Sequence, residues 1–162
     1  MTEEKIKIAL FGIGFFEKEL LRVLSTRYHV IAVDMNESLV KALAEELPAV
    51  ECLAGDASSI LTWKKIDPSQ LTHVISSIHD TDVNREICRI VRETYQLDIP
   101  ITFIAPALRD EQKLQKYNAA ILSPVDIGIN AVLNRLEKNY TKAGDIGLKK
   151  GEFIEVPILA RS

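Results

Sequence analysis

Short apolar runs alternate with longer amphipathic segments along most of the chain. The runs are continuous, as is typical of strands that are buried on both faces of a sheet. The segments between them repeat their apolar residues every three or four positions, and this spacing predicts helices. The alternation predicts six strands, with the sequences KIALFG, HVIAVD, AVECLA, HVISSI, ITFIA and AAILS.

Local signals mark where the intervening helices begin and end. Apolar residues take up helical spacing from Phe16 onward, which predicts the first helix. Asn36 is a suitable cap for the second helix, and Pro48 follows its end. Ser58 opens a short third helix. The remaining helices are predicted over TDVNREICRIVRETYQL, RDEQKLQKYN and DIGINAVLNRLEKN.

The order of these elements predicts the fold. Strands that alternate with helices through short connections form parallel sheets with right-handed crossovers. We therefore expect an α/β fold of the Rossmann-like, doubly wound type, with a mostly parallel six-stranded sheet over residues 1–138. Residues 139–162 contain three glycines and one strand-like segment, EFIEVPILA. A single strand cannot bury itself, so this tail is expected to be a linker and the start of a C-terminal subdomain or an interface strand.

Composition and charge exclude several classes of partner. The 162 residues are 47% hydrophobic and carry a formal net charge of -3, with lysines and arginines spread along the chain. A nucleic-acid-binding face needs concentrated positive charge, so no nucleic acid partner is expected. No apolar run approaches the ~20 residues that span a bilayer, so no direct membrane insertion is expected. Cys52 and Cys88 lack C-x-x-C spacing and lie in apolar patterns, which indicates buried free thiols and a cytoplasmic location.

The turn after the first strand resembles a phosphate-binding turn. Gly12 and Gly14 give the first two glycines of the pattern G-x-G-x-x-G, in which the backbone approaches a pyrophosphate at a helix N-terminus. Asp34 ends the second strand about 20 residues later, where an acid binds the ribose hydroxyls. The alternative is a glycine turn that serves only tight packing, with Asp34 as a helix-capping acid.

Glu17 stands where the third glycine of that pattern belongs. The third glycine lets helix and strand pack closely, and a glutamate takes up space there. The helix dipole favours its charge by ~0.3–1 kcal/mol. The same carboxylate can compete with a phosphate for the N–H groups, so reduced phosphate affinity is expected unless the side chain turns away.

Six segments together resemble a known family. KIALFGIG, HVIAVDMN, CLAGDAS, HVISSIHDTDVN, IPITFIA and YNAAILSP are similar to the regulator-of-potassium-conductance (RCK) domain, also called the KTN or TrkA N-terminal domain. The likeness runs from Lys5 to Glu137, and the turn AGDAS (Ala54–Ser58) is its most telling part. The resemblance implies a cytoplasmic Rossmann domain without enzymatic activity, which forms dimers and rings beneath a potassium channel or transporter in the membrane.

The resemblance also implies a set of cofactor-binding residues at the carboxyl ends of the strands. The first turn would face the phosphates, the second strand would end at the ribose, the AGDAS turn would contact adenine, and the fourth strand would end over the middle of the ligand. The implied residues are Gly12, Ile13, Gly14, Phe15 and Phe16 in the first turn, Asp34, Met35 and Asn36 after the second strand, Asp56 and Ala57 in the AGDAS turn, and Ser77, Ile78, His79 and Asn84 after the fourth strand.

Three positions depart from the family pattern, all of them on the phosphate side. Phe15 stands where arginine is common, Glu17 where glycine is expected, and Pro106 where a basic residue often ends the fifth-strand motif. We therefore expect adenine and ribose recognition with a weakened grip on polyphosphate, so that AMP, or weakly held NAD or ADP, is favoured over tight ATP binding. The segment APA (residues 105–107) replaces the acids that bind calcium in some relatives, so no metal is expected there.

Three functions follow from these observations. The first is a cytoplasmic regulatory subunit that senses an adenine nucleotide and gates potassium transport at the inner face of the membrane. The second is a scaffold that keeps the fold for assembly and binds no nucleotide. The third, a nicotinamide-dependent oxidoreductase, requires a proton donor such as a Tyr-x-x-x-Lys pair, and neither Tyr95 nor Tyr117 has a lysine four residues later.

Overall fold

The computed structural model describes residues 6–105, 114–136, 144–145 and 152–153. Strands and helices alternate through the first two of these ranges, as the hydrophobic pattern predicts. In chain order the strands and α-helices are β1 (Lys7–Phe11), α1 (Phe15–Leu24), β2 (His29–Asp34), α2 (Glu37–Glu46), β3 (Glu51–Ala54), α3 (Ile60–Ile66), β4 (His73–Ser76), α4 (Thr81–Arg89), β5 (Ile101–Ile104), β6 (Ala120–Leu122), α5 (Pro124–Leu136), β7 (Gly144–Asp145) and β8 (Glu152–Phe153).

The six main strands form one parallel sheet in the order β3-β2-β1-β4-β5-β6. This order confirms the Rossmann-like α/β fold. The chain leaves β1 toward β2 on one side and later returns to β4 on the other side. The carboxyl ends of β1, β2 and β4 therefore surround the point where the strand order reverses, which is where ligands bind in such sheets.

The sheet separates two hydrophobic clusters. Alternating residues of β1 point to opposite faces, so Phe11 belongs to one cluster and Leu10 to the other. The first cluster includes Trp63, whose ring centroid lies 4.9 Å from that of Phe11. The second cluster includes Leu21 of α1 and Leu43 of α2. Burial on both faces explains the continuous apolar sequences of the central strands.

Three helix predictions need correction. The third helix begins at Ile60 and not at Ser58, whose hydroxyl instead donates to Asp56 Oδ1 at 2.7 Å. The long helix after β4 ends as an α-helix at Arg89 and continues as a π-helix over Ile90–Thr94. In the predicted polar helix RDEQKLQKYN, residues 109–113 lie outside the described residues, and Gln115–Tyr117 form a 3-10 helix.

The first two residues of the predicted tail strand EFIEVPILA have a partner within the chain, and its other residues, 154–160, lie outside the described residues. Glu152–Phe153 pairs antiparallel with Gly144–Asp145, whereas the sequence pattern suggested one isolated strand. The sequence pattern did not predict the partner strand, because that strand contains Gly144 and glycine has a low strand propensity. The division into a domain over 1–138 and a tail over 139–162 remains a prediction.

Candidate functional site

A cleft of about 170 Å³ lies at the carboxyl ends of β1, β2 and β3. It is smaller than the roughly 300–1,000 Å³ of most small-molecule pockets, so it fits part of a dinucleotide or one compact ligand. Both predicted adenosine-binding aspartates line it. Among the described residues, those that line it are Gly12, Val33, Asp34, Met35, Gly55, Asp56, Ala57, Ile78 and Val83.

Gly12 shapes the floor of this cleft in two ways. Its φ is +92°, a left-handed conformation that side chains rarely adopt. A Cβ at this position would also lie 2.7 Å from Ser77 Oγ. Its N–H donates to the carbonyl of Val33 at 2.8 Å, which ties the turn to the end of β2. The first glycine of the motif is therefore required by the backbone itself.

The Asp34 carboxylate is held rigidly at the end of β2. Oδ2 accepts a hydrogen bond from the Ile13 N–H, and Oδ1 accepts one from the Asn36 N–H, both at 2.8 Å. Each carboxylate oxygen can accept a second hydrogen bond, and Asp34 lines the cleft. The carboxylate is thus positioned to receive hydroxyl groups, whereas the Ile13 N–H is already used.

The turn after β3 places Asp56 beside Asp34. The Gly55 N–H donates to the Asp34 carbonyl at 2.9 Å. Asp56 Oδ1 accepts from the Ser58 N–H at 2.8 Å and from the Ser58 hydroxyl at 2.7 Å. The Ala57 carbonyl accepts from Trp63 Nε1 at 2.7 Å. These bonds fix the AGDAS turn and leave Asp56 Oδ2 as a hydrogen-bond acceptor on the cleft lining.

A buried hydrogen-bond network holds the loop that follows β4. The Ser76 hydroxyl donates to Asn84 Oδ1 at 2.9 Å, and Asn84 Nδ2 donates to the Ile78 carbonyl at 2.7 Å. Ser76 and Asn84 are both buried. Asn84, predicted as a cofactor-binding residue, is engaged inside the protein and positions Ile78 against the cleft. Sequence reasoning missed the role of Ser76, although a serine inside a buried strand is itself a signal of a structural hydrogen bond.

The phosphate side of the site is built from the first turn of α1. Gly14 is the N-cap residue and supplies no side-chain hydrogen bond to the helix. The first helical bond runs from the Lys18 N–H to the Gly14 carbonyl, so the N–H groups of residues 15–17 have no acceptor within the helix. Phe15 is 87% exposed, whereas Glu17 is only 7% exposed.

The Glu17 side chain folds back onto Gly14. A Cβ built on Gly14 would clash with Glu17 Oε2, so the absence of a side chain at Gly14 makes room for the carboxylate. Glu17 occupies the third position of the helix, from which a glutamate side chain can reach back toward the cap residue. The side chain that replaces the third glycine therefore lies at the helix N-terminus, where a phosphate would bind.

The structure brings together six of the fourteen predicted residues in one cleft. The six that line it are Gly12, Asp34, Met35, Asp56, Ala57 and Ile78. The other eight are outside this lining. Ile13, Asn36, Ser77 and Asn84 form hydrogen bonds with residues that line the cleft, and the remaining four are Gly14, Phe15, Phe16 and His79.

Three residues of the lining were missed by sequence reasoning: Val33, Gly55 and Val83. Gly55 allows α3 to approach, since a Cβ there would lie 2.7 Å from Thr62 Oγ1. A glycine in the AGDAS turn could have been recognised in the sequence as a residue that lines the cleft. The positions of Val33 and Val83 could not be distinguished from core positions.

A second cavity, of about 250 Å³, lies near the beginning of β5. Arg92 lines it but is already occupied, because its guanidinium donates to the carbonyls of Leu97 at 2.7 Å and Ile99 at 2.8 Å. It also donates to the Tyr117 carbonyl. Arg92 thus closes the loop after the π-helix, and the polar residues Asp98, Thr102 and Asn118 also line the cavity.

The described part of the chain also bears on other kinds of site. No group of three or more His, Cys, Asp or Glu side chains is placed to hold a metal ion there. Pro106 and Ala107, in the segment from which calcium ligands are missing, lie outside the described residues. None of the described helices has the length and apolar character required to cross a bilayer. Cys52 and Cys88 are free thiols.

The fold and the cleft together define a Rossmann-like domain with an acidic cleft at the reversal point of its sheet. The family model of the TrkA-N domain matches residues 8–134. The chain therefore belongs to the TrkA-N domain family, as the sequence resemblance predicts. Comparison with curated protein sequences gives no match.

Solved structures of several proteins, among them the following three, share the fold at low sequence identity. The TrkA-N domain of the inner membrane protein YbaL from Escherichia coli is 18% identical, with a TM-score of 0.70, over 82% of this chain and 98% of that chain. The Kef C-terminal domain from Shewanella denitrificans, in an AMP-bound form, is 20% identical, with a TM-score of 0.62, over 82% of each chain.

The GsuK channel is the third such protein. Its ADP-bound structure is 22% identical, with a TM-score of 0.66, over 84% of this chain and 35% of that chain. Its NAD-bound structure is 19% identical, with a TM-score of 0.66, over 83% of this chain and 24% of that chain. The present chain thus corresponds to about a third or less of the GsuK chains.

Proposed function

We propose that this chain is a regulatory domain of a potassium channel or transporter, located at the cytoplasmic face of the membrane, and that it senses an adenine nucleotide in the cleft between Asp34 and Asp56. The cleft lined by these two fixed aspartates is the observation that carries the proposal. The AMP-, ADP- and NAD-bound relatives support an adenine nucleotide as the ligand class.

Each part of the cleft suits one part of adenosine. Asp34 lies at the end of β2, where an acid accepts hydrogen bonds from ribose hydroxyls. Asp56 Oδ2 can accept a hydrogen bond from the amino group of adenine, and Ala57 lies beside it. Ile78 and Val83 supply apolar surface on the same lining. The acceptors are rigid before the ligand arrives, which reduces the entropy cost of binding.

Regulation requires two states of an assembly that bind the ligand with different affinity. A hundredfold difference corresponds to ~2.7 kcal/mol, which is enough to shift a two-state equilibrium substantially. Self-association into a dimer and higher ring supplies such an assembly. The exposed apolar side chains of α5 support this part of the proposal; they are Val125, Ile129, Val132, Leu133 and Leu136.

An enzymatic role is not part of this proposal. Among the described residues that line the cleft, Asp34 and Asp56 are the only ones with titratable side chains, and Asp34 already accepts two backbone hydrogen bonds. A hydride-transfer enzyme needs a proton donor within hydrogen-bond reach of its substrate. The part of the lining that the structure describes offers no such group besides these aspartates.

One observation favours a second function, an assembly module that binds no nucleotide. The Glu17 carboxylate lies at the helix N-terminus against Gly14, and in that position it can block the approach of phosphate. Under this alternative the domain contributes only its fold and its α5 surface to a ring.

Thermal unfolding with AMP, ADP, ATP, NAD and NADH separates the two functions. A ligand at 100 times its dissociation constant stabilises the folded state by ~2.7 kcal/mol. We expect at least one of these nucleotides to raise the melting temperature of the wild-type chain, and the Asp56→Asn variant to lose most of that shift.

Asp67→Asn is a matched control for this variant. Asp67 Oδ1 also accepts a hydrogen bond from the serine two residues later, at 2.7 Å, but Asp67 is outside the cleft lining. The control should keep the full shift. Unchanged melting of a folded wild-type sample with every nucleotide would favour the assembly module instead.

A further inference from the structure

The Glu17 carboxylate is an unusual group to find at the N-terminus of the first helix of a Rossmann fold. It is only 7% exposed, and carboxylates are rarely buried to this extent unless they are paired. None of the ion pairs formed by the described residues includes Glu17. The two basic residues of the same helix are engaged elsewhere, since Lys18 and Arg22 both contact Glu46.

The position of this carboxylate is set by its neighbours. Oε2 lies against Gly14, in space that any side chain at Gly14 would fill. The N–H groups at residues 15–17 have no acceptor within the helix, and a helix N-terminus carries roughly half a unit of positive charge. A buried carboxylate at that point already compensates this charge, so an arriving anion meets a neutralised helix end.

We infer that Glu17 makes the cleft discriminate by phosphate number, so that it accepts an adenosine ligand with one phosphate and rejects ligands with a pyrophosphate. The Glu17 carboxylate takes the place of one of the two phosphates that a Rossmann helix N-terminus normally faces. A monophosphate together with this carboxylate brings the same number of anionic groups as a pyrophosphate alone. A second phosphate at the same helix N-terminus would bring a like charge toward a largely buried carboxylate, which is unfavourable.

This inference rests on the proposed function and makes Glu17 a specificity-determining residue of the same cleft. The adenosine contacts, at Asp34 and Asp56, lie on β2 and on the turn after β3 and do not involve Glu17. The affinity for AMP and the discrimination against ADP are therefore separable by mutation. Loss of the Glu17 carboxylate should change the discrimination against ADP far more than the affinity for AMP.

The test is isothermal titration calorimetry with AMP and ADP, on the wild-type chain and on the Glu17→Gln variant. This substitution keeps the shape of the side chain and removes its charge. In the wild type the dissociation constant for ADP should exceed that for AMP by at least about tenfold, a modest value for like charges at this range. In Glu17→Gln that ratio should fall at least about tenfold. Glu17→Gly, which restores the glycine of the motif, is the second variant in case Glu17→Gln does not fold.

Glu19→Gln is the matched control. It removes the same charge from the same helix, but the Glu19 side chain is 58% exposed and contacts Arg22. The ratio should stay at the wild-type value in this variant. Circular dichroism verifies that each variant is folded.

The outcomes distinguish this inference from the proposed function. If AMP binds the wild type and the ratio is near one, or does not move in Glu17→Gln, the inference is wrong and the proposed function stands. If neither ligand binds the folded wild type, and ATP, NAD and NADH do not bind it either, the proposed function is wrong. In that case new ADP binding in Glu17→Gln would still support the role of Glu17. If the folded variant also fails to bind ADP, the inference about Glu17 is wrong as well.

Discussion

Single residues in the β1–α1 turn were predictable as types but not as conformations. The sequence pattern identified Gly12 and Gly14 and predicted that Glu17 would interfere with phosphate. The physical reason for a glycine differs between the two positions, however. Gly12 requires a positive φ, whereas Gly14 has an ordinary φ of -111° and leaves space that the adjacent Glu17 carboxylate occupies. The direction of a side chain depends on packing, which a residue pattern does not contain.

Replacing Gly12 by alanine should destabilise the fold by ~1–3 kcal/mol, because the φ of +92° strains the new residue and its Cβ meets Ser77 Oγ. Urea denaturation measures the change. Gly128→Ala is the control, since a Cβ there meets no atom within 4 Å and Gly128 lies inside α5. That substitution should be neutral or stabilising by up to ~1 kcal/mol. Equal destabilisation by both variants would contradict the explanation.

The Cys88 thiol should be unreactive in the folded protein. Burial raises the pKa of Cys88 from 9.0 to about 12, so almost no thiolate forms at about pH 8, and the thiolate is the reactive form. Burial also raises the pKa of the half-buried Cys52 thiol. Alkylation followed by mass spectrometry should label Cys52 before Cys88, and both only slowly. Rapid labelling of Cys88 in the native state would contradict its burial.

At the scale of elements, the strands were predicted more accurately than the helix boundaries. Each central strand is buried on both faces, and this gives a strong local signal in the sequence. The start of α3 was missed because Ser58 can bond either to a helix or to Asp56, and the structure uses the second option. The change from α4 to a π-helix at Ile90 leaves the apolar spacing nearly unchanged, so the pattern could not reveal it.

Side-chain caps should matter only where a hydrogen bond is made. Asn36 Oδ1 accepts from the N–H groups of Ser38 and Leu39 at the start of α2, at 3.0 and 3.2 Å. Ser59 stands at the same position of α3 without such a bond. Asn36→Ala should therefore cost ~0.5–2 kcal/mol of unfolding free energy, and Ser59→Ala much less. Chemical denaturation compares the two, and a larger loss in Ser59→Ala would refute this reading of the caps.

At the scale of the whole molecule, α5 has its polarity reversed relative to a surface helix. Five of its large apolar residues are exposed, whereas Asp126, Asn130 and Asn134 are partly buried, as is Ile127. An ordinary surface helix shows the opposite arrangement. A contiguous stripe of exposed apolar side chains along a helix is typical of a surface that associates with another protein. The sequence predicted the helix, but only the position of α5 in the fold shows which of its faces is left uncovered.

A charge on this face should break self-association. Val132 is 58% exposed within the apolar stripe of α5, so Val132→Glu should lower the dimer association constant by at least about tenfold, through the cost of burying a charge. Ala131→Glu adds the same charge to a position about a quarter turn or more away and should have little effect. Sedimentation equilibrium measures both. A wild-type chain that stays monomeric at high concentration would contradict this role of α5.

The central claim is that the cleft holds adenosine between Asp34 and Asp56, and a crystal structure of the chain with AMP tests it most directly. The account predicts ribose hydroxyls within hydrogen-bond distance of the Asp34 carboxylate and the adenine amino group beside Asp56. AMP bound elsewhere, or a cleft in which the Glu17 side chain leaves no place for the nucleotide, would contradict it.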